Sequence, residues 1–350
     1  MRVLNVMLGR GRGGIEQASL DYALALAAQG VEVCTVLAPN AAIAPVFAAR
    51  GLKVATQRHM GPWDWFARRR LHGLWQAFGA EVAIAHGNRA LALLAGGPGR
   101  LVNVIHNYRL QHLHLADAVI GVTPALAARA VEAGFDPERV LALSNMLETI
   151  PPLGPSTPRE RPVIGALGRF VAKKGFHTYL EALALLRARG IPFRAVLGGA
   201  GEEEPALRAQ ATRLGLDELL HWAGWVEDTA AFYRGLDIFC VPSVEEPFGI
   251  VLLEAFAHGV AVVASDAEGP REIVGDRATA TLFERGSPSG LAEALQRLLE
   301  ASEPREQQRG RAHADVATRY GMPIVGARLA GWLESLVRAG CSKDTKPSPT

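Results

Sequence analysis

Residues 238–264 read Ile238-Phe-Cys-Val-Pro-Ser-Val-Glu245-Glu246-Pro-Phe-Gly-Ile-Val-Leu-Leu-Glu254-Ala-Phe-Ala-His-Gly259-Val-Ala-Val-Val-Ala264. A short apolar run, Ile238–Val241, leads through a polar loop into a helix-sized apolar stretch, and a second run, Val260–Ala264, follows Gly259. Apolar runs of strand length on either side of a helix point to a parallel sheet with both faces covered. Pro247 is expected in the first helical turn, where its missing N–H has no partner to lose, and Gly259 suits the helix exit.

The same alternation runs outward through the chain. Strands are expected at Val3–Leu8, Val31–Ala38, Lys53–Thr56, Glu81–Ala85, Leu101–Ile105, Ala118–Val122 and Arg139–Leu143. Helices are expected at Ile15–Ala28, Ala125–Glu132 and across a Trp-rich stretch from Trp63 to Phe78. The pattern restarts at Val163–Gly168 and Ala195–Leu197. Between the halves, residues 151–162 hold five prolines in twelve positions, which reads as a linker. The expected organisation is an N-terminal domain over 1–150, the linker, a second domain over 163–322, a helix over 323–338 packing back toward the N-terminal domain, and a polar, disordered tail over 339–350. The fold class is α/β, with two doubly wound parallel sheets facing an interdomain cleft, because such sheets bind ligands beyond the carboxyl ends of their strands.

Composition sets limits on function. At 350 residues the chain is long enough for two cores. No apolar run reaches the length of a membrane span, and the opening residues lead straight into a glycine turn, unlike a secretion signal. Three isolated cysteines, Cys34, Cys240 and Cys341, suggest a reducing, cytoplasmic setting. Residues 1–150 carry fourteen Lys and Arg against ten Asp and Glu, and the remainder carries 23 against 25. That asymmetry is too mild for nucleic-acid binding but fits an N-terminal half facing an anionic surface.

Glu246 and Glu254 flank the start of the helix in the opening stretch. The free N–H groups of Phe248, Gly249 and Ile250 are expected to face an anion there, while the carboxylates accept from hydroxyl groups. Glu254 lies within an apolar run, where a carboxylate is costly without a partner. Arg169 and Lys174 follow the strand Val163–Gly168 just before another helix, where cations oppose the helix dipole unless an anion lies between them. A diphosphate resolves that conflict, and the whole set fits a nucleotide sugar; Lys173 is the solvent-facing neighbour. Gly199, in Gly198-Gly-Ala-Gly201, allows close backbone approach to a nucleotide, although a plain turn explains it equally well. Gly9-Arg-Gly11-Arg-Gly13-Gly14 matches a dinucleotide-binding glycine loop, but the second strand ends Val36-Leu-Ala-Pro39 without the acid a ribose needs. The dehydrogenase reading fails there, while Gly13 and Gly14 still permit close approach to a diphosphate or a sugar.

These segments, together with Gly13-Gly-Ile-Glu16 and Val260-Ala-Val-Val-Ala-Ser265, resemble the retaining glycosyltransferases of family 4, of the glycosyl transferases group 1 type with the two-Rossmann GT-B fold. The resemblance spans about residues 1–338. It implies that Arg169 and Lys174 hold the donor diphosphate, Glu254 the ribose hydroxyls and Glu246 the transferring sugar. It implies a sugar-contacting histidine after an N-terminal strand, matched by His106, with His86 as the competing choice. Asn145 matches a hinge asparagine, with Ser144 and Met146 replacing its usual neighbours. No Asp-x-Asp occurs, so the cations and helix amides are expected to stabilise the leaving diphosphate without a metal or other cofactor. The resemblance implies a UDP- or GDP-linked sugar as donor and a growing glycan or glycolipid as acceptor. A nucleotide-sugar 2-epimerase and a non-catalytic sugar-nucleotide sensor are the alternatives.

The Trp63–Phe78 stretch plots as an amphipathic helix with Trp63, Ala67, Leu71, Leu74 and Phe78 facing the core. Trp65 falls on the opposite side with Arg69, His72 and Gln76. An exposed Trp among basic residues suits an anionic membrane surface, with Trp65, Arg68 and Arg69 as the contacts. The expectation is peripheral attachment to the inner face of the cell membrane and a lipid-linked acceptor such as a lipopolysaccharide core.

Overall fold

The computed structural model describes residues 1–11, 13–155 and 159–341. It divides into two compact units, one of Met1–Glu148 joined by the chain from Gly321 onward, the other Thr149–Tyr320.

The first unit is a seven-stranded sheet of β1 (Arg2–Met7), β2 (Glu32–Leu37), β3 (Lys53–Thr56), β4 (Val82–His86), β5 (Arg100–Ile105), β6 (Ala118–Gly121) and β7 (Val140–Ala142). All neighbours run parallel, in the order β3-β2-β1-β4-β5-β6-β7. The crossover helices are α1 (Gly14–Ala28), α2 (Ala44–Ala49), α3 (Trp65–Phe78), α4 (Asn88–Leu94) and α5 (Pro124–Glu132). The first residue of β1 is exposed and the following five are buried, which is the continuous apolar signature of a sheet covered on both sides. Asn5 is the polar exception in that run.

Local signals set the helix ends. Thr123 accepts from the Leu126 N–H at 3.2 Å and Pro124 opens α5, the favoured arrangement at a helix start. Asp64 accepts from the Ala67 N–H at 3.0 Å, so α3 opens at Trp65, two residues later than the periodicity suggests. Trp63 therefore lies outside the helix and is 66% exposed instead of facing the core. The buried face of α3 is Ala67, Leu71 and Trp75. Trp75 fills the space beside Gly97, where a Cβ would lie 2.2 Å from the indole, and its Nε1 donates to the Ala80 carbonyl at 2.8 Å.

The C-terminal helix α13 (Met322–Cys341) belongs to this unit. The Met322 N–H donates to the Leu147 carbonyl at 2.9 Å, Arg328 donates to Ala142 at 3.1 Å, and Gly326 packs on Ala25 of α1. The second domain thus ends at Tyr320 rather than 322. Ala339–Cys341 continue the helix rather than opening a tail; the remainder of that expected tail, 342–350, lies outside the described residues.

The second unit orders β8 (Val163–Leu167), β9 (Arg194–Gly198), β10 (Leu220–Gly224), β11 (Ile238–Val241), β12 (Ala261–Ser265) and β13 (Thr281–Phe283) as β10-β9-β8-β11-β12-β13, again all parallel. Its helices are α6 (Phe176–Ala188), α7 (Glu204–Arg213), α8 (Thr229–Arg234), α9 (Ile250–Ala257), α10 (Glu268–Val274), α11 (Pro288–Glu300) and α12 (Ser302–Arg319). The proline-rich segment expected as a linker is docked on this unit. Pro151 accepts from His313 at 2.8 Å, Gly154 accepts from Arg309 at 3.1 Å, and Arg159 pairs with Asp237 at 2.8 Å. In both units the strand order reverses beside the first strand, at β1/β4 and at β8/β11, where doubly wound sheets open a crevice for ligands.

Candidate functional site

In the second unit the β8/β11 switch point brings two of the expected residues into contact. Lys174 ends a single 3-10 turn, Ala172–Lys174. Gly175 follows with φ +66°, and a Cβ there would lie 2.0 Å from the Pro242 carbonyl oxygen, so only glycine lets this turn close against the end of β11. Lys174 Nζ then reaches Glu246 Oε2 at 2.5 Å, with side-chain exposures of 21% and 9%. Ser243 Oγ donates to the same oxygen at 3.1 Å. Glu246 Oε1 accepts no hydrogen bond from any described residue. Arg169 is exposed and forms no ion pair among the described residues. Lys173 faces solvent, 3.4 Å from Glu245.

Helix α9 begins at Ile250, not at Pro247, because Gly249 takes φ +101° and turns the chain only after the Glu246-Pro247-Phe248 segment. Glu254 consequently lies one turn into the helix. The N–H groups of Phe248, Gly249 and Ile250 meet no acceptor among the described residues, leaving the positive end of the helix open beside the Glu246 segment. Glu254 Oε2 accepts from the Tyr233 hydroxyl at 2.8 Å. Its apolar surroundings push its carboxyl from the usual 4.5 up to about 7, against the pull of that hydroxyl.

Gly199 has φ +135°, and a Cβ there would lie 1.9 Å from the Gly168 carbonyl oxygen. Its missing side chain is demanded by the protein backbone itself. The glycine loop of the first unit is likewise filled from within. Glu16 Oε2 accepts from the Gly13 N–H at 3.1 Å, and a Cβ at Gly9 would lie 2.4 Å from Glu16 Oε1. The carboxylate thus occupies the anion position at the start of α1, and only Gly14 faces open space.

His86 and His106 stand at the carboxyl ends of β4 and β5 in the first unit and bond to each other, His86 Nδ1 to His106 Nε2 at 3.0 Å. His86 is buried and Asn5 Oδ1 lies 2.8 Å from its Nε2. Burial pushes His106 down to about 4 and His86 well below 6.5, so both rings are neutral near pH 7. Asn145 Oδ1 is buried and has no hydrogen-bond partner among the described residues.

Asn5, Ser243 and Tyr233 are the polar partners that sequence reading passed over. Asn5 carried a signal, since an amide in the middle of the buried run of β1 is costly unless bonded. Ser243 and Tyr233 carried none, because their roles depend on which strands and helices adjoin.

Residues 155–315 match the family model described as glycosyl transferases group 1. A lipopolysaccharide core biosynthesis glycosyltransferase of Rhizobium meliloti, LpsE, is 28% identical over 93% of this chain and 96% of its own. A phosphatidyl-myo-inositol mannosyltransferase of Mycolicibacterium smegmatis is 36% identical over 54% of this chain and 49% of its own. Among solved structures, Anabaena HepE in complex with UDP-glucose superposes with a TM-score of 0.83 at 22% identity, over 96% of this chain and 100% of that one. Two doubly wound parallel units of this kind define the GT-B class. The match to the glycosyl transferases group 1 model covers the second unit, and the chain is a glycosyltransferase.

Proposed function

We propose that this enzyme transfers a sugar, with retention and without a metal, from a nucleoside-diphosphate donor to a lipid-linked envelope glycan of the lipopolysaccharide-core kind. The observation that carries this reading is the Lys174–Glu246 pair beside the open N-terminus of α9. A diphosphate takes the α9 amides and the cations Lys174 and Arg169, which stabilise the charge that develops as the sugar–phosphate bond breaks. Glu246 turns its unoccupied oxygen to a hydroxyl of the transferring sugar, and Glu254 accepts from the ribose hydroxyls. Retention follows if the acceptor attacks on the face the diphosphate leaves, with a phosphate oxygen taking the proton.

The kind of acceptor is supported by the relative LpsE, a lipopolysaccharide core enzyme by name, and by an exposed apolar tip on the first unit formed by Met60, Trp63, Trp65 and Phe66. Among the described residues no helix is long and apolar enough to cross a membrane, so membrane contact in this reading is peripheral. The test is transfer from UDP- and GDP-sugars to a truncated lipopolysaccharide core, with the product's anomeric configuration read by NMR. An α-linked product from an α-linked donor in excess EDTA is the expected result. An inverted product, or activity lost to EDTA and restored by magnesium or manganese, overturns the mechanism. Epimerised sugar nucleotide formed without acceptor points to the isomerase instead.

A further inference from the structure

The first unit contains a polar chain running from the middle of β1 to the surface. The Asn5 amide nitrogen lies 2.8 Å from the Ser19 carbonyl oxygen and 3.3 Å from Thr35 Oγ1. A carbonyl oxygen only accepts, so the atom facing it must be the NH2 group, which leaves Oδ1 of Asn5 pointing at His86. Oδ1 is itself only an acceptor, and it lies 2.8 Å from His86 Nε2, so Nε2 must carry the proton. In a neutral His86 ring, Nδ1 is then a bare lone pair. It lies 3.0 Å from His106 Nε2, which must in turn be the protonated nitrogen of that ring. Each alternative assignment sets two lone pairs face to face at hydrogen-bond distance or places a positive charge within the buried end of the chain. Tyr22 packs edge-on against His86 with ring centres 5.1 Å apart, and holds it in this orientation.

The chain ends at Nδ1 of His106. That nitrogen has no hydrogen-bond partner among the described residues, and the ring is only partly buried. We infer that Asn5 and His86 are positioning residues that lock His106 in its Nε2–H form, so that Nδ1 presents a lone pair to a sugar hydroxyl. A locked acceptor binds a hydroxyl that donates to it and rejects a phosphate or carboxylate oxygen at the same point, whereas a freely tautomerising imidazole accepts both. The tautomer assignment is independent of the proposed reaction; the sugar contact rests on it.

Two measurements separate them. In protein labelled with 15N in its histidine rings, long-range proton–nitrogen spectra distinguish a protonated nitrogen from a bare one. His106 is identified by the signals missing in His106→Gln, and His86 by those missing in His86→Phe. Wild-type protein should show protonated Nε2 and bare Nδ1 on both rings near pH 7. A protonated Nδ1 on His106, or averaging between its two forms, overturns the relay. His86→Phe should release His106 into both forms and lower the rate of transfer about tenfold, the scale of one lost hydrogen bond at a reacting site. His86→Asn sets an amide oxygen near the position of Nδ1, and should restore both the locked form and most of the rate. Restoration by asparagine but not phenylalanine identifies positioning; equal rates for the two variants overturn it. If the wild-type tautomer is as assigned but His106→Gln transfers sugar at the wild-type rate, the sugar contact is overturned.

Discussion

Lys174 Nζ lies 2.5 Å from Glu246 Oε2, and the carboxylate side of this ion pair is only 9% exposed. In the proposed reaction this contact ties the stability of the second unit to its chemistry. Removing the cation leaves a carboxylate with little water and only Ser243 as a donor, which is the costly way to break such a pair. Lys174→Met should lower stability to urea by about 3 kcal/mol, the lower end for a buried pair because Lys174 is 21% exposed, and Lys174→Met with Glu246→Gln should recover part of that loss. Both variants should lose transfer. Additive effects of the two substitutions on stability would mean that the pair does not act as a unit.

If Glu254 holds the ribose as proposed, donor binding should depend on pH. The Glu254 carboxyl ionises near 7 in the folded protein, and ribose hydroxyls bind best to the ionised form. Below that point binding must first expel a proton, so donor affinity should weaken toward tenfold per pH unit as pH falls from 7. Above it, affinity should level off. A nucleotide sugar is the right probe, because its diphosphate is doubly esterified and does not titrate in this window. Calorimetry should show proton release on binding near pH 6.5, and Glu254→Gln should abolish both the release and the slope. Tyr233→Phe removes the hydroxyl that favours ionisation, and should move the transition to higher pH. The same shift acts on folding with the opposite sign to a salt-bridged acid. The folded state holds this proton more tightly than the unfolded chain, so about 2–3 kcal/mol of stability is lost between pH 4.5 and 7.

Much of the architecture could be read from the chain, and what was lost had local causes. The five inner strands of the first unit are visible as apolar runs because they are buried almost throughout, while the half-exposed edge strands β3 and β7 show only as short runs. In the second unit β10 and β13 were missed. The first reads Leu-His-Trp-Ala-Gly, the second spans only three residues, and both are edge strands, where burial no longer enforces a continuous apolar run. Among the site residues, Lys174 and Glu246 were legible as types, yet their contact was not. It is made by the parallel placement of β8 beside β11, which joins two residues 72 apart in sequence. The choice between His86 and His106 was posed as exclusive, whereas the two rings bond to each other.

The glycines offer a direct test of structural against functional need. Gly199→Ala should destabilise the second unit by more than 3 kcal/mol, since its Cβ meets a backbone oxygen and its φ of +135° is strained for any other residue. Gly14→Ala places a methyl at the first turn of α1 with nothing within 4 Å, and should leave stability unchanged or raise it by about 0.5 kcal/mol. If Gly14→Ala folds normally but transfers more slowly, a substrate approaches that backbone. An unchanged rate removes Gly14 from the site.

The apolar tip of the first unit sharpens the expectation of membrane contact. Met60 is 97% exposed, Trp63 66%, Trp65 60% and Phe66 71%. Trp65 and Phe66 occupy the first turn of α3, and Arg69 and Arg70 lie one turn further along the same two rows. The Arg69 guanidinium also covers the Trp65 ring at 5.8 Å. Rings that enter the headgroup region would therefore bring two cations to phosphate level. Arg68 is not part of this set. Its guanidinium turns inward to the Ala95 carbonyl at 2.6 Å, where it supports the start of the glycine turn after α4. Arg69→Glu changes the local charge by two units and should weaken binding to phosphatidylserine-containing vesicles by about thirtyfold, at about 1 kcal/mol per charge. Trp65→Ser with Phe66→Ser should weaken it further at low and high salt alike, because burial of the rings is not screened. Arg68→Glu should instead lower thermal stability. If vesicle binding is insensitive to both the Arg69 and the aromatic substitutions, this face is not the anchor. If wild-type protein leaves anionic vesicles unbound at low salt, the acceptor reaches the enzyme from solution.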